Sequence, residues 1–275
     1  MSVSKRCVLL CTVVTLVLVS GLTAGCQASG NRTIADMMKV LPEDTDTLFV
    51  FSHERIQQVP QMLEIWEGLV EETSSTAYNP SGLGVAAIDG DLVCVLLTYD
   101  TFPEIPASVN GTVSAPRAFN EVELTARDDY WESFRLDDVE IITLSENTDD
   151  YIDSILNRPS VMYDNADFTR IAEESLTGLF VIVIKGFPIA DNSGVLGLSL
   201  NTLEEADGVL VVSGIIDFQI EEKAASAIDA LNSFLTEECG VSSLESRQKG
   251  GVIEISGEIG SVNFNEFMDA LTRYL

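Results

Sequence analysis

The chain has 275 residues, of which 46% are hydrophobic, and carries 44 Asp and Glu against 15 Lys and Arg for a formal charge of −29. That much apolar material builds one large domain or two smaller ones. The acid excess argues against nucleic acid as a partner, because a phosphate polymer is bound mainly by neutralising it with Lys and Arg. The acids are spread along the chain as pairs, the pattern of a solvated surface, and cations, divalent ones included, are the charged species such a surface attracts.

At the N-terminus, Lys5 and Arg6 precede an apolar run from Cys7 to Val19 and then Ser20-Gly21-Leu22-Thr23-Ala24-Gly25-Cys26. Basic, apolar and small-residue regions in that order form a secretory signal. The segment Leu22 to Cys26 also resembles the lipobox of bacterial lipoproteins, with Thr23 where that family usually has Leu. The resemblance implies cleavage between Gly25 and Cys26 and acylation of Cys26, palmitate being a typical chain. An uncleaved membrane helix is the competing reading, since about 17–25 apolar residues cross a bilayer, but Ser20, Gly21, Thr23 and Gly25 crowd the end where a spanning helix wants bulk. The expected product is an extracytoplasmic protein, lipid-anchored to the cell membrane or outer membrane, with residues 26–32 as tether and 33–275 as ectodomain, divisible into halves 33–158 and 159–275. Losing residues 1–25 removes Lys5 and Arg6 and no acid, so 13 basic residues face 44 acidic ones, a charge of −31.

Thr33 and Asp36 set a helix start before Ile34, Met37, Met38 and Leu41, a single apolar face that ends at Pro42 and could touch lipid, although the negative charge around it favours packing on the body. Thr47 to Ser52 reads as a strand. Pro60 opens a helix with Met62, Leu63, Trp66, Leu69 and Val70 on one face. Gly84 to Asp91 is either a hairpin turning at Asp89-Gly90 or a short turn entering the strand Leu92 to Tyr99. Thr101 to Pro116, with three prolines, is an irregular excursion. Three closely spaced runs follow, Glu121 to Ala126, Tyr130 to Leu136 and Val139 to Leu144, and such spacing predicts an antiparallel meander because parallel neighbours need a long crossover. Thr148, Asp149 and Asp150 open a helix that stops before Pro159, and a further helix at about Phe168 to Leu176 precedes the apolar strand Leu179 to Ile184. Val195 to Leu200 and Val209 to Phe218 flank a turn, helix Glu221 to Glu238 follows with Ala224, Ala227, Ile228, Leu231, Phe234 and Leu235 inward, Gly251 to Ile259 alternates as a strand with one wet face, and Asn263 caps a last helix holding Phe264, Phe267, Met268 and Leu271. The fold class is α+β, an antiparallel meander sheet covered by helices on one face.

Three stretches, LPEDTDTLFVF, NTDDYIDSILNRPSVMYDNADFTRIAEES and the hairpin leading into EEKAASAIDALNSFL, resemble a broad group of uncharacterised secreted prokaryotic lipoproteins. The resemblance implies two related strand-helix-sheet halves and transfers no catalytic residue.

His53 is the single histidine and follows a strand end, where a surface or capping role is commoner than catalysis. A serine triad would need it as base, yet no G-x-S-x-G elbow is present. A multi-histidine zinc site is excluded, and the glycine-rich nucleotide motifs do not occur, so no cofactor is expected. Asp149-Asp150-Tyr151-Ile152-Asp153 resembles the aspartate-rich Mg²⁺ box of terpene and prenyl-transfer enzymes, but that family is all helical with a second metal motif, and helix-start acids favoured by the dipole account for the run. Asp89 and Asp91 around Gly90 lack the full Ca²⁺-loop spacing and read as turn residues. Cys94 reads as a buried strand thiol and Cys239 as a helix-end residue, and whether they form a bridge depends on geometry. Asn31-Arg32-Thr33 and Asn110-Gly111-Thr112 fit the N-glycosylation pattern but are silent in a bacterial setting. The leading expectation is a non-catalytic binding or structural module. A carrier or sensor of an apolar or lipid ligand and a carboxylate- or metal-dependent hydrolase are the alternatives.

Overall fold

A computed structural model describes residues 34–56, 63, 67, 80–88, 92–99, 117–126, 130–157, 160–165, 180–202 and 208–273. The signal segment with Gly25 and Cys26, the tether, the Thr33 cap, the Asp89–Asp91 turn, the excursion 101–116 and the helix at 168–176 lie outside them, as does the helix opened by Pro60 apart from helical Leu63 and Glu67.

The elements are helix α1 (Ile34–Lys39), strand β1 (Thr45–Ser52), a one-turn helix α2 (His53–Ile56), β2 (Gly82–Ile88), β3 (Leu92–Thr98), β4 (Arg117–Phe119), β5 (Val122–Ala126), β6 (Trp131–Leu136), β7 (Val139–Leu144), α3 (Thr148–Leu156), β8 (Phe180–Ile189), β9 (Asn192–Thr202), β10 (Val209–Asp217), α4 (Glu221–Ser233), β11 (Ser242–Lys249), β12 (Val252–Gly260) and α5 (Phe264–Thr272). The strands form one twelve-stranded sheet in the order β11-β12-β10-β9-β8-β1-β2-β3-β7-β6-β5-β4. Every pairing is antiparallel. The alternative left open at Gly84 to Asp91 resolves as a hairpin, with Ile88 opposite Leu92. The close-spaced runs form the expected meander β5-β6-β7.

The middle of the sheet is the β1–β8 seam, where Phe49 lies opposite Ile182 and Phe51 opposite Phe180. Consecutive residues here are apolar because both faces are covered. Leu48, Val181 and Val183 enter one core together with Ile34, Met37 and Met38 of α1, Tyr151 and Ile152 of α3, and Met162. Phe49, Phe51, Phe180 and Ile182 enter a second core with Ile56 of α2, Ala224, Ala227 and Leu231 of α4, and Phe264, Phe267 and Leu271 of α5. The expected single covered face is therefore corrected: the helices divide between the two faces, since central strands apolar at every position need cover on both. The expected inward residues Ala224, Ala227 and Leu231 of α4 and Phe264, Phe267, Met268 and Leu271 of α5 are buried, with Ile228 partly buried against them. Asn263 stands at the start of α5 but makes no side-chain cap.

Two strands escape the sequence pattern. β11 reads Ser-Ser-Leu-Glu-Ser-Arg-Gln-Lys and, among the described residues, pairs only with β12 at one edge of the sheet, with Glu245, Arg247 and Lys249 exposed. Charge along an unpaired edge blocks pairing with other chains, so its polarity is a property of the edge. β4 is three residues long and forms the opposite edge.

Backbones approach closely at β9–β10: a Cβ on Gly214 would lie 2.1 Å from the Gly197 carbonyl oxygen and 2.7 Å from a Leu198 methyl carbon. Gly214→Ala is expected to cost about 3 kcal/mol, the upper end for overpacking, read as a lowered urea midpoint; an unchanged midpoint contradicts this packing. Ala190, in the β8–β9 turn, has φ of +52°, a conformation that costs a residue with a Cβ roughly 1 kcal/mol. Ala190→Gly is expected to raise stability by some tenths of a kcal/mol to about 1 kcal/mol in the same assay.

Candidate functional site

The acids singled out by the sequence lie on α3. Residues four apart share a helix face, so Asp149 and Asp153 point the same way, toward the β4–β5 edge. Arg117 of β4 places one terminal nitrogen 2.7 Å from Asp149 Oδ1. Its Nε donates to Glu132 Oε1 at 2.9 Å and its other terminal nitrogen to Oε2 at 2.6 Å, the parallel fork that makes Arg–carboxylate pairs strong. One turn along α3, Asp153 Oδ1 accepts from the Asn120 side-chain amide at 2.5 Å and from Asn157 at 3.4 Å. Asn120 and Glu121 form the β4–β5 turn with φ of +48° and +70°, the left-handed pair typical of a two-residue hairpin. Together these contacts clasp the edge hairpin to α3.

Burial supports the clasp from below. Tyr151 is fully buried, its ring 5.7 Å from that of Phe134, and its hydroxyl donates to the Val40 carbonyl at 3.3 Å. The Cys94 thiol donates weakly to the same hydroxyl at 3.8 Å. Burial pushes the Cys94 thiol up to about 12 and Tyr151 well above its ordinary range, so both stay neutral. The Arg117 fork lowers the Glu132 carboxyl against the opposing effect of its partial burial, with a smaller contribution from the Thr148 hydroxyl; the same contacts raise Arg117.

The aspartate run therefore does not converge on a metal: Asp149 and Asp153 are engaged by Arg117 and Asn120, and Asp150 points to solvent. Among the described residues, no three His, Cys, Asp or Glu side chains are arranged to hold a metal ion. His53 is half-buried at the end of β1, and its backbone N–H donates to the Ser81 carbonyl at 3.1 Å. Cys94 and Cys239 are buried free thiols in different cores, so no bridge joins them; burial also pushes Cys239 up to about 12. Asp89, Asp91 and both glycosylation patterns lie outside the described residues.

Two structures of TP0453 resemble this architecture. Its crystal form I matches with a TM-score of 0.51 at 13% identity, over 85% of this chain and 96% of that one, and crystal form IV with a TM-score of 0.53 at 11% identity, over 84% and 95%. The chain shares the fold of TP0453. No family model matches it, and neither does any curated protein.

Two features were missed in the sequence. Arg117 directly follows the proline-rich excursion; with 44 acids against 15 basic residues, an ordered arginine meets carboxylates wherever it lies, and that was the available signal. Glu140 is an acid inside the apolar run Val139–Leu144, 1% exposed, and accepts from the Tyr99 hydroxyl at 2.8 Å. Alternation gives no warning of it, because its neighbours on both faces are buried.

Arg117→Met is expected to lower stability by about 1–2 kcal/mol at pH 7, because it leaves a partly buried carboxylate without its charge-assisted bonds. Glu132 is depressed in the folded state, so its contribution is present above the unfolded carboxylate range and is lost as pH falls through the folded value. Urea denaturation should accordingly show the gap between wild type and variant closing below about pH 4; a gap of constant size would contradict the assignment.

Proposed function

We propose that the protein is an extracytoplasmic lipoprotein, anchored through acylated Cys26 after cleavage at Gly25, whose α+β body acts through its surface as a non-catalytic binding or structural module. The observation that carries this reading is the N-terminal sequence: Lys5 and Arg6, an apolar run, then Leu22-Thr23-Ala24-Gly25-Cys26. The place of α1 in the chain supports it, because Ile34, packed into the body, follows Cys26 by only eight residues, so an acyl group on Cys26 would sit a short stretch of chain from the body. The engagement of Asp149 and Asp153 by Arg117 and Asn120 supports a structural role for these two of the acids the sequence offered. Divalent cations are the charged species that a body of charge −31 attracts, and nucleic acid the one it repels.

Two related halves form part of the same reading. Outward from the β1–β8 seam the strands run β1, β2, β3, β7, β6 on one side and β8, β9, β10, β12, β11 on the other, and a helix follows both β7 and β12. These positions correspond, although α3 and α5 pack against opposite faces.

Expression in a bacterial host followed by mass spectrometry of the membrane fraction tests the anchor. The expected N-terminal peptide starts at Cys26 and carries acyl chains, and Cys26→Ser abolishes acyl incorporation. A cytosolic protein, or one retaining residues 1–25 without acylation, overturns the reading.

A further inference from the structure

We propose that β11 pairs antiparallel with β11 of a second copy of this chain, across a two-fold axis at Ser246, so that Glu245 of each copy meets Arg247 of the other. This goes beyond the lipid-anchor reading and does not depend on it, because the edge belongs to the folded body. β11 has no second strand partner among the described residues, and an edge strand turns a row of unpaired N–H and C=O groups outward. Its side chains are engaged at the two ends of the strand. Ser242 and Ser243 donate to Glu258 of β12, Lys249 pairs with Glu254, and the Gln248 amide donates to the Glu221 and Gly250 carbonyls at 3.0 Å each. In the middle, Glu245 and Arg247 are exposed and make no side-chain hydrogen bond or ion pair among the described residues. Arg247 stands opposite Glu254, but Lys249 holds that carboxylate. An arginine of a chain with 44 acids and 15 basic residues is thus left unneutralised.

Charge selects both the occupant and the register. In an isologous pair the same patch serves both copies, so an antiparallel register is defined by the residue on the axis. With Ser246 there, Glu245 lies opposite Arg247 of the second copy, Arg247 opposite its Glu245, and Leu244 opposite its Gln248. Residues directly opposite bring their Cβ atoms to about 4.5–5.5 Å, where unlike charges attract and like charges repel. Moving the axis to Glu245 sets two glutamates against each other, and moving it to Arg247 sets two arginines. The neighbouring two-fold registers are therefore excluded and this one is admitted. A charged edge keeps most strands away, and the alternation of sign makes the strand's own reversed copy its complement. From Glu245 to Lys249 the strand runs in unbroken register with β12; the irregularity before it, with Ser243 at φ of +52°, ends the straight segment. So short a contact falls at the small end of specific interfaces. Repulsion between two acidic bodies opposes it, although screening beyond about 8 Å at physiological salt confines that repulsion to near neighbours. The pair is accordingly transient, and its test must trap it.

Disulfide trapping supplies the test. The full-length chain carrying Ser246→Cys is oxidised with diamide in intact bacterial cells and read on a non-reducing gel, since thiols opposite each other on the axis lie within reach of a disulfide. Ser242→Cys is the control, because in this register the exposed position 242 lies roughly 27 Å from its counterpart at the rise of a strand. The unsubstituted chain gives the background from Cys7, Cys11 and Cys26, while Cys94 and Cys239 are buried. Homodimer is expected to form several-fold more with Ser246→Cys than with Ser242→Cys. Adding Glu245→Arg or Arg247→Glu sets like charges opposite and is expected to cut the yield about tenfold; the two reversals together restore complementarity and the yield. Equal yields from positions 246 and 242, single reversals without effect, or a double reversal that does not restore the yield each overturn the pairing. So does an adduct at position 246 whose mass is not twice that of the chain, which gives this edge to a different protein.

Discussion

The pairing of β1 with β8 is the constraint on which the architecture depends. It joins seven strands on one side to five on the other into a single sheet, and it places Phe49, Phe51 and Phe180 on one face with Leu48, Val181 and Val183 on the other. The rings of Phe51 and Phe180 are 4.4 Å apart, and Phe264 meets Phe180 edge-on. Each fully buried side chain of this size contributes about 1.5–3 kcal/mol through the area it removes from water. A seam apolar on both faces requires two helical covers, and α1, α3, α4 and α5 take their places from that requirement.

A sheet of this extent leaves two edges, and they are handled differently. β11 has no second strand partner among the described residues and carries charge at alternate positions, with Lys249 paired to Glu254 of β12. β4 is tied down by Arg117 and Asn120 to acids one turn apart on α3. Two of the three aspartates that look from the sequence like a metal box, Asp149 and Asp153, thus secure a hairpin. The helix-start position of Asp149 is favourable for negative charge in its own right, its ion pair with Arg117 adds to that, and the directed fork of Arg117 goes to Glu132 of β6.

Most element types and the inward faces of α4 and α5 were legible in the sequence, because hydrophobic periodicity is a local consequence of burial. β11 was not, since an edge strand with polar residues on both faces has no alternation to read. The clasp on α3 was not legible either. Arg117 and Asp149 are 32 positions apart along the chain, and nothing local to either residue records that the meander folds back to bring them together.

By itself, the sequence determined the antiparallel meander, through the short spacing of its runs, the acidic solvent-facing character of the body, and the inward stripes of the C-terminal helices. Only the tertiary structure decided that the helices cover both faces of the sheet and that Asp149 and Asp153 serve the β4 hairpin. It also decided that Cys94 and Cys239 stand apart as buried thiols. The physical reason is the same in each case: periodicity reports whether a residue is buried, while the identity of what buries it depends on which distant segments the β1–β8 seam brings within reach.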